Sequence, residues 1–249
     1  CWICCLSDGL GAPDLVLLTL SEFANQAHRI CRACNLPLLV DADHGYGNAL
    51  NVRRTVEELE TAGVAALTIE DTELPQGYGA PEPQSLISLE EGVGKMRAAI
   101  DGRQDPTLVI AGRTSAMGIT GPDDTVARIK AYENVGVDAI FLSGVSTSEQ
   151  LEIVSNAISI PIFLGGAASA LGNINTLSAS GVRICLQGHQ AFQASVNATY
   201  STLKALREGT NPSEIKSLAP KTMLDRLSRN NDHKRWMQTW LGGKMSERD

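Results

Sequence analysis

The sequence predicts an α/β chain built as a (β/α)8 barrel that lacks its first β-α unit. Seven short apolar runs alternate with amphipathic segments over the first three-quarters of the chain. The runs are apolar on both faces, as are the strands of a parallel sheet covered by helices. The length of 249 residues matches the roughly 250 residues of one barrel core.

The strand-like runs are 2–6, 36–40, 65–69, 107–111, 139–142, 160–164 and 182–186, and helical patterns fall at 21–35, 48–62, 88–101, 123–135, 147–157 and 170–180. Ser21 is the N-cap expected for the first helix, and Ser88 with Glu91 forms a capping-box pattern for the third. Gly63, Gly136 and Gly181 each stand where a helix stops before a strand. A closed barrel needs eight strands, so the missing one is expected before Cys1, where the chain opens abruptly with Cys1-Trp2-Ile3-Cys4-Cys5-Leu6. A doubly wound sheet is the alternative. From 188 the pattern is helical, at 188–208, 213–229 and 232–241, giving a barrel domain over 1–208 and a helical extension over 209–249. Trp236, Met237 and Trp240 form an apolar stripe that packs within the chain or on a neighbouring subunit, a homo-oligomer (dimer or tetramer) in the second case.

A net charge of −7 and a pI near 5.2 argue against a nucleic-acid partner or an acidic membrane surface. No apolar run approaches the roughly 20 residues that span a bilayer. Six cysteines, at 1, 4, 5, 31, 34 and 185, include two pairs at zinc-like spacing, but their apolar settings read as small core residues with reduced thiols. A cytoplasmic protein is the expectation, with a mitochondrial one left open by the abrupt start.

Residues that carry chemistry collect at strand ends, the face where barrels place their active sites. The run ending at Val40 continues as Asp41-Ala42-Asp43-His44-Gly45-Tyr46-Gly47-Asn48. Strand alternation sends Asp41 and Asp43 to one face, and Gly45 and Gly47 admit a substrate close to the backbone. A capped strand–helix turn would use the same residue types. Glu70 and Asp71 end the next run, Arg113 the one after, and His189 follows the last. Hard carboxylate oxygens suit Mg2+ or Mn2+. Such an ion could chelate a 2-oxo acid and stabilise the enolate left when a neighbouring C–C bond breaks. Arg113 could pair with a carboxylate, and His189 could donate a hydrogen bond or a proton.

The stretch 38–48 closely resembles the isocitrate lyase/phosphoenolpyruvate mutase superfamily, as do Thr68-Ile69-Glu70-Asp71, Gly112-Arg113-Thr114 and Gly11-Ala12-Pro13-Asp14. Within it, Leu18-Thr19-Leu20-Ser21-Glu22-Phe23, the run 43–52 and Glu90-Glu91-Gly92-Val93-Gly94-Lys95 are most similar to the oxaloacetate decarboxylase branch. The resemblance implies a Mg2+-dependent enzyme that decarboxylates oxaloacetate, or a related 2-oxo dicarboxylate, to pyruvate and CO2. It implies Asp41 as direct metal ligand, Asp43 and Glu70 holding the ion through waters, Asp14 near the same cluster, and Arg113 and His189 on the substrate carboxylates. It also implies a tetramer whose terminal helices swap between paired barrels.

Three departures from the family pattern stand out. The loop 76–83 has no cysteine where the lyases carry their catalytic acid. Gly165-Gly166-Ala167-Ala168 stands where the decarboxylase branch has a tyrosine. The serine loop after the second barrel strand has no match in 1–10. The alternatives are another C–C or P–C lyase, hydrolase or mutase of the superfamily, or a catalytically silent paralogue.

Overall fold

Short β-branched runs flanked by capped helices fold as the alternation requires. In the computed structural model, which describes residues 2–3, 11–13, 15–79, 84–166 and 168–242, all seven predicted strands form. They are β1 (Trp2–Ile3), β2 (Leu39–Asp41), β3 (Ala66–Glu70), β4 (Val109–Thr114), β5 (Ala139–Leu142), β6 (Ile162–Leu164) and β7 (Val182–Cys185). They pair in parallel in chain order, β1 to β7. Among the described residues the two outer strands are not joined to each other.

The helices between them are α1 (Leu20–Cys31), α2 (Ala49–Thr61), α3 (Leu89–Gly102), α4 (Ala116–Ile119), α5 (Pro122–Val135), α6 (Ser148–Ser155), α7 (Ala168–Leu171) and α8 (Ile174–Ala179). The N-cap of α1 is Thr19 rather than Ser21: its hydroxyl accepts from the Glu22 amide while Glu22 reaches back to the Thr19 N–H. Ser88 does cap α3, accepting from the Glu91 amide at 3.1 Å. The pattern at 170–180 splits into two short helices because Gly172, at φ 139, interrupts it.

Residues 1–190 and 191–249 are two compact units, a division that falls ahead of the 208/209 boundary read from the sequence. In the first unit the sheet has two differently filled faces. Outward side chains such as Val40, Leu67, Ile69, Ile110, Ile140 and Leu164 are buried under the helices in the main core. Inward ones form a second cluster of Ala111, Ala139, Phe141 and Phe163, against which Leu39, Val109, Ile184 and Leu186 pack. A flat sheet would hold β2 and β7 roughly 24 Å apart, five spacings of about 4.8 Å. Leu39 and Ile184 instead line one apolar cavity of about 470 Å3, so the sheet curls.

The outward face also carries a buried polar network. Asp71, just past β3, accepts from Tyr132 Oη at 2.8 Å and Arg128 Nη1 at 3.1 Å, both on α5. Arg128 also donates to the Ile87 carbonyl at 3.0 Å, tying the start of α3 to α5. Burial pushes the Asp71 carboxyl up, and the Tyr132 hydroxyl and Arg128 charge oppose it.

The second unit holds α9 (Gln190–Arg207), a 3-10 turn (Pro212–Glu214), α10 (Lys221–Leu227) and α11 (Asn230–Leu241). None of these helices buries a residue. Trp236 and Trp240 stack at 5.7 Å on α11, with Trp240 71% exposed. Among the described residues no helix is long and apolar enough to cross a membrane.

Removing one partner of a buried ion pair leaves the other charge uncompensated. Arg128→Met is therefore expected to lower stability by about 3–5 kcal/mol in urea unfolding, and an unchanged midpoint would show that Asp71 does not depend on Arg128.

Candidate active site

Period-two alternation puts Asp41, Thr68, Glu70, Ala111 and Arg113 on the inner face of the sheet, opposite Val40, Leu67, Ile69, Ile110 and Gly112. Glu70 and Arg113 are register partners on β3 and β4, as are Asp41 and Thr68 on β2 and β3. The carboxylates and the guanidinium therefore meet at one end of the strands. Arg113 donates from Nη1 to Asp41 Oδ2. Its Nε lies 3.1 Å from Glu70 Oε2, an ion pair bent out of hydrogen-bond alignment. Thr68 Oγ1 holds the other Asp41 oxygen at 2.9 Å. The Arg113 guanidinium also sits over the Phe141 ring, 5.2 Å from its centre, a cation–π contact.

Burial shapes the charges here. It pushes Glu70 up from the usual carboxylate range, and Arg113 only partly offsets this. It works against the Arg113 charge as well, but Asp41, Glu70 and Asp43 outweigh it and hold the guanidinium above its ordinary value. The result is a cation locked between carboxylates.

These residues face a cavity of about 390 Å3 lined by Asp41, Arg113, Phe141, Ser143, Gly165, Gly166 and the 186–189 turn that carries His189. Asp41, Arg113 and His189 thus share one space, with Glu70 behind Arg113. Asp14 lies outside the described residues, as do Cys1, Cys4 and Cys5. Ser143 was not singled out from the sequence. It follows the apolar run of β5, and a serine ending a strand was the signal.

Asp43 does not follow from alternation. The strand ends at Asp41, and Asp43 turns into the left-handed region at φ 48. Its amide N–H reaches Asp41 Oδ1 at 3.3 Å and its carbonyl accepts from the Glu70 amide at 2.8 Å. Asp71, grouped with Glu70 in the sequence, faces the helices instead. Gly45 and Gly47 are outside the cavity lining. A Cβ at Gly45 would stand 2.4 Å from Val52 Cγ2, and one at Gly47 would stand 2.4 Å from Asn51 Oδ1. Both glycines let the loop press on α2. His44 is 4% exposed, and burial, aided by the Lys95 ammonium, lowers its pKa to about 4, so the ring is neutral near pH 7. Among the described residues no three carboxylate, imidazole or thiol groups are drawn together closely enough to ligate one ion directly.

The chain is similar in sequence and fold to known proteins. The family described as phosphoenolpyruvate phosphomutase matches residues 4–207. A protein of Bradyrhizobium sp. (strain ORS 278) named oxaloacetate decarboxylase is 53% identical over 94% of this chain and 81% of its own length. Among solved structures, a phosphoenolpyruvate phosphomutase from Streptomyces platensis subsp. rosaceus superposes with a TM-score of 0.82 at 26% identity, covering 94% of this chain and 84% of that one. A phosphonopyruvate hydrolase in complex with oxalate and Mg++ gives the same TM-score at 27% identity, over 95% and 84% of the two chains.

Gly45 has φ 79, and its missing Cβ leaves the space Val52 fills. Gly45→Ala is expected to lower stability by about 1–3 kcal/mol, from backbone strain and the clash together. A thermal midpoint unchanged from wild type would mean the loop does not need its packing on α2.

Proposed function

We propose that the chain is a metal-dependent carboxy-lyase acting on oxaloacetate, and the premise is its family: the chain belongs to the phosphoenolpyruvate phosphomutase family. The observation that carries the reading is the single cavity shared by Asp41, Arg113 and His189, with the Glu70 carboxylate behind. The relative named oxaloacetate decarboxylase supports the choice of reaction. A solved relative holding oxalate and Mg++ supports a divalent ion beside a dicarboxylate. The seven-stranded sheet is read here as part of a (β/α)8 barrel.

The donor set fits such an ion. Asp41, Asp43 and Glu70 offer hard oxygens only, and Asp41 is the one of the three that lines the cavity. Asp41 would be the direct ligand, with Asp43 and Glu70 acting through water. Bound there, Mg2+ or Mn2+ would supply Lewis-acid stabilisation of negative charge on the 2-oxo oxygen.

The chain's own residues account for the rest. A guanidinium has five N–H donors, so Arg113, though engaged with Asp41 and close to Glu70, keeps donors for a substrate carboxylate on the cavity side. Its position is fixed by the buried Glu70 and the partly buried Asp41, so little reorganisation is needed when substrate arrives. In decarboxylation the C3–C4 bond breaks, its electron pair passes to the 2-oxo group as an enolate, CO2 leaves, and C3 then takes a proton. Phe141 and Leu186 give the cavity part of an apolar wall, which favours loss of a charged carboxylate as neutral CO2. His189 and Ser143 are the hydrogen-bonding groups at the cavity wall suited to hold the second carboxylate or pass the proton. No lyase-type cysteine is required, since loss of CO2 leaves only an enolate to stabilise.

The same reading extends to assembly. The second unit exposes Tyr200, Leu203, Leu227, Met237, Trp240 and Leu241. Residues 191–249 carry ten Lys and Arg against six Asp and Glu, whereas residues 1–190 carry eleven against twenty-two. Exposed apolar side chains on a basic segment, and an acidic first unit of opposite charge, suit docking on a second copy of the chain.

Pyruvate should form from oxaloacetate only with Mg2+ or Mn2+ present and should stop with chelator, while Asp41→Ala should lose Mg2+ binding by calorimetry. Chelator-insensitive turnover, or full Mg2+ affinity in the variant, would overturn the assignment. Sedimentation equilibrium should give a dimer or tetramer that Trp236→Ser/Trp240→Ser dissociates, and a monomeric wild type would rule the docking out.

A further inference from the structure

The loop that carries Asp43 is built from backbone conformations that its residues disfavour. Four of its positions lie in the left-handed region: Asp43 (φ 48), Gly45 (φ 79), Tyr46 (φ 62) and Gly47 (φ 145). Glycine adopts such angles without cost, but Asp43 and Tyr46 bear side chains and persist there only if their surroundings over-determine them.

Two helices supply that constraint through consecutive carbonyls. Lys95 Nζ on α3 donates to the His44 carbonyl at 3.0 Å. Thr55 Oγ1 on α2 donates to the Gly45 carbonyl, also at 3.0 Å. Both donors are buried, Lys95 at 3% and Thr55 at 0% exposure, and neither lines the cavity. An aliphatic lysine stem usually carries its ammonium out to water. Lys95 instead ends beneath the loop. Burial pushes its pKa down, and the carboxylates of Glu91, Glu70 and Asp71 oppose that. The lysine is therefore both a tether for the loop and a positive charge under the acidic strand ends. Asp43, next to the tethered carbonyl of His44, is joined to β3 on its other side by the Glu70 amide. A backbone held on both sides fixes the Cα–Cβ direction of Asp43, and its carboxylate is close enough to favour the Arg113 charge.

We propose that Lys95 and Thr55 are positioning residues of the active site, acting through the His44 and Gly45 carbonyls to hold Asp43 in its left-handed conformation beside Asp41 and Arg113. The geometry stands independently of the metal assignment, but the consequence for metal affinity rests on that reading.

The test uses the full chain and the variants Thr55→Val, Thr55→Ser and Lys95→Met, with two readouts. Amide exchange of peptides covering 42–48, followed by mass spectrometry without metal, reports the loop alone. Titration of free Mn2+ by electron paramagnetic resonance reports the carboxylates. Thr55→Val and Lys95→Met should each speed exchange at 42–48 by tenfold or more, with β3 and the body of α2 unchanged, and should weaken Mn2+ binding at least tenfold. Thr55→Ser, which restores the hydroxyl, should recover both. A lower thermal midpoint with wild-type exchange at 42–48 and wild-type Mn2+ affinity would reduce both residues to packing and overturn the proposal. If Lys95→Met fails to fold, Thr55→Val and its serine rescue decide the matter. Wild-type protein that does not bind Mn2+ would sink the metal reading, while the exchange result would still decide the clamp.

Discussion

The interaction on which the site depends is the partly buried guanidinium of Arg113 held between Asp41 and Glu70. These residues come from three adjacent strands, so the cluster joins β2, β3 and β4 at the end where the cavity opens. Burying three charges is unfavourable unless they compensate one another. Burial pushes Glu70 up and the neighbouring Asp41 adds to this, while Asp41, Glu70 and Asp43 together hold Arg113 charged against its own burial. The site is thus an excess of buried negative charge, balanced locally by Arg113 and more distantly by Lys95. Such a balance favours a further cation at the cavity face and an anion on the free side of the arginine fork.

Much of this was legible because it is local. Strand ends are set by where apolar runs stop, and alternation then says which side chain faces in. Asp41, Glu70 and Arg113 were placed together from the sequence because each stands where an apolar run stops, and the observed register turns all three inward. Asp43 shows where the rule ends: it lies past the last paired residue, and a left-handed turn rather than the pleat decides its direction. The glycines beside it were read as room for a ligand, and Val52 and Asn51 stand where a Cβ on Gly45 or Gly47 would go.

Lys95, Arg128 and Tyr132 went unread for a different reason. A single lysine or arginine in an amphipathic helix ordinarily belongs to the solvated face, and only its phase says otherwise. Lys95 shares the helical spacing of Gly92, Met96 and Ala99, all buried, so it falls on the apolar side of α3. Arg128 and Tyr132, four apart on α5, are likewise on its buried face and claim Asp71, which the sequence had grouped with the strand-end acids. Their partners lie 51, 57 and 61 residues away. Phase could have shown burial, but no local pattern names a partner at that distance.

The two faces of the sheet also bind function to stability. Because side chains alternate, each inward functional group has an outward structural neighbour: Asp41 follows Val40, Glu70 follows Ile69, and Arg113 follows Gly112. A one-residue slip in register would exchange every member of these pairs, exposing charge to the core and apolar groups to the cavity. Gly112 shows how closely the faces are coupled. A Cβ there would approach Tyr132 Cδ2 at 3.1 Å and the Met96 sulfur at 3.4 Å, so the bare position lets the ring pack closely on β4. The ring places its hydroxyl on Asp71, and the Asp71 amide in turn donates to the Arg113 carbonyl at 3.3 Å. From Gly112 outward to Tyr132 and back through Asp71, the helical layer closes on the backbone of Arg113. The catalytic face is therefore held in register by packing on the face that has no chemistry.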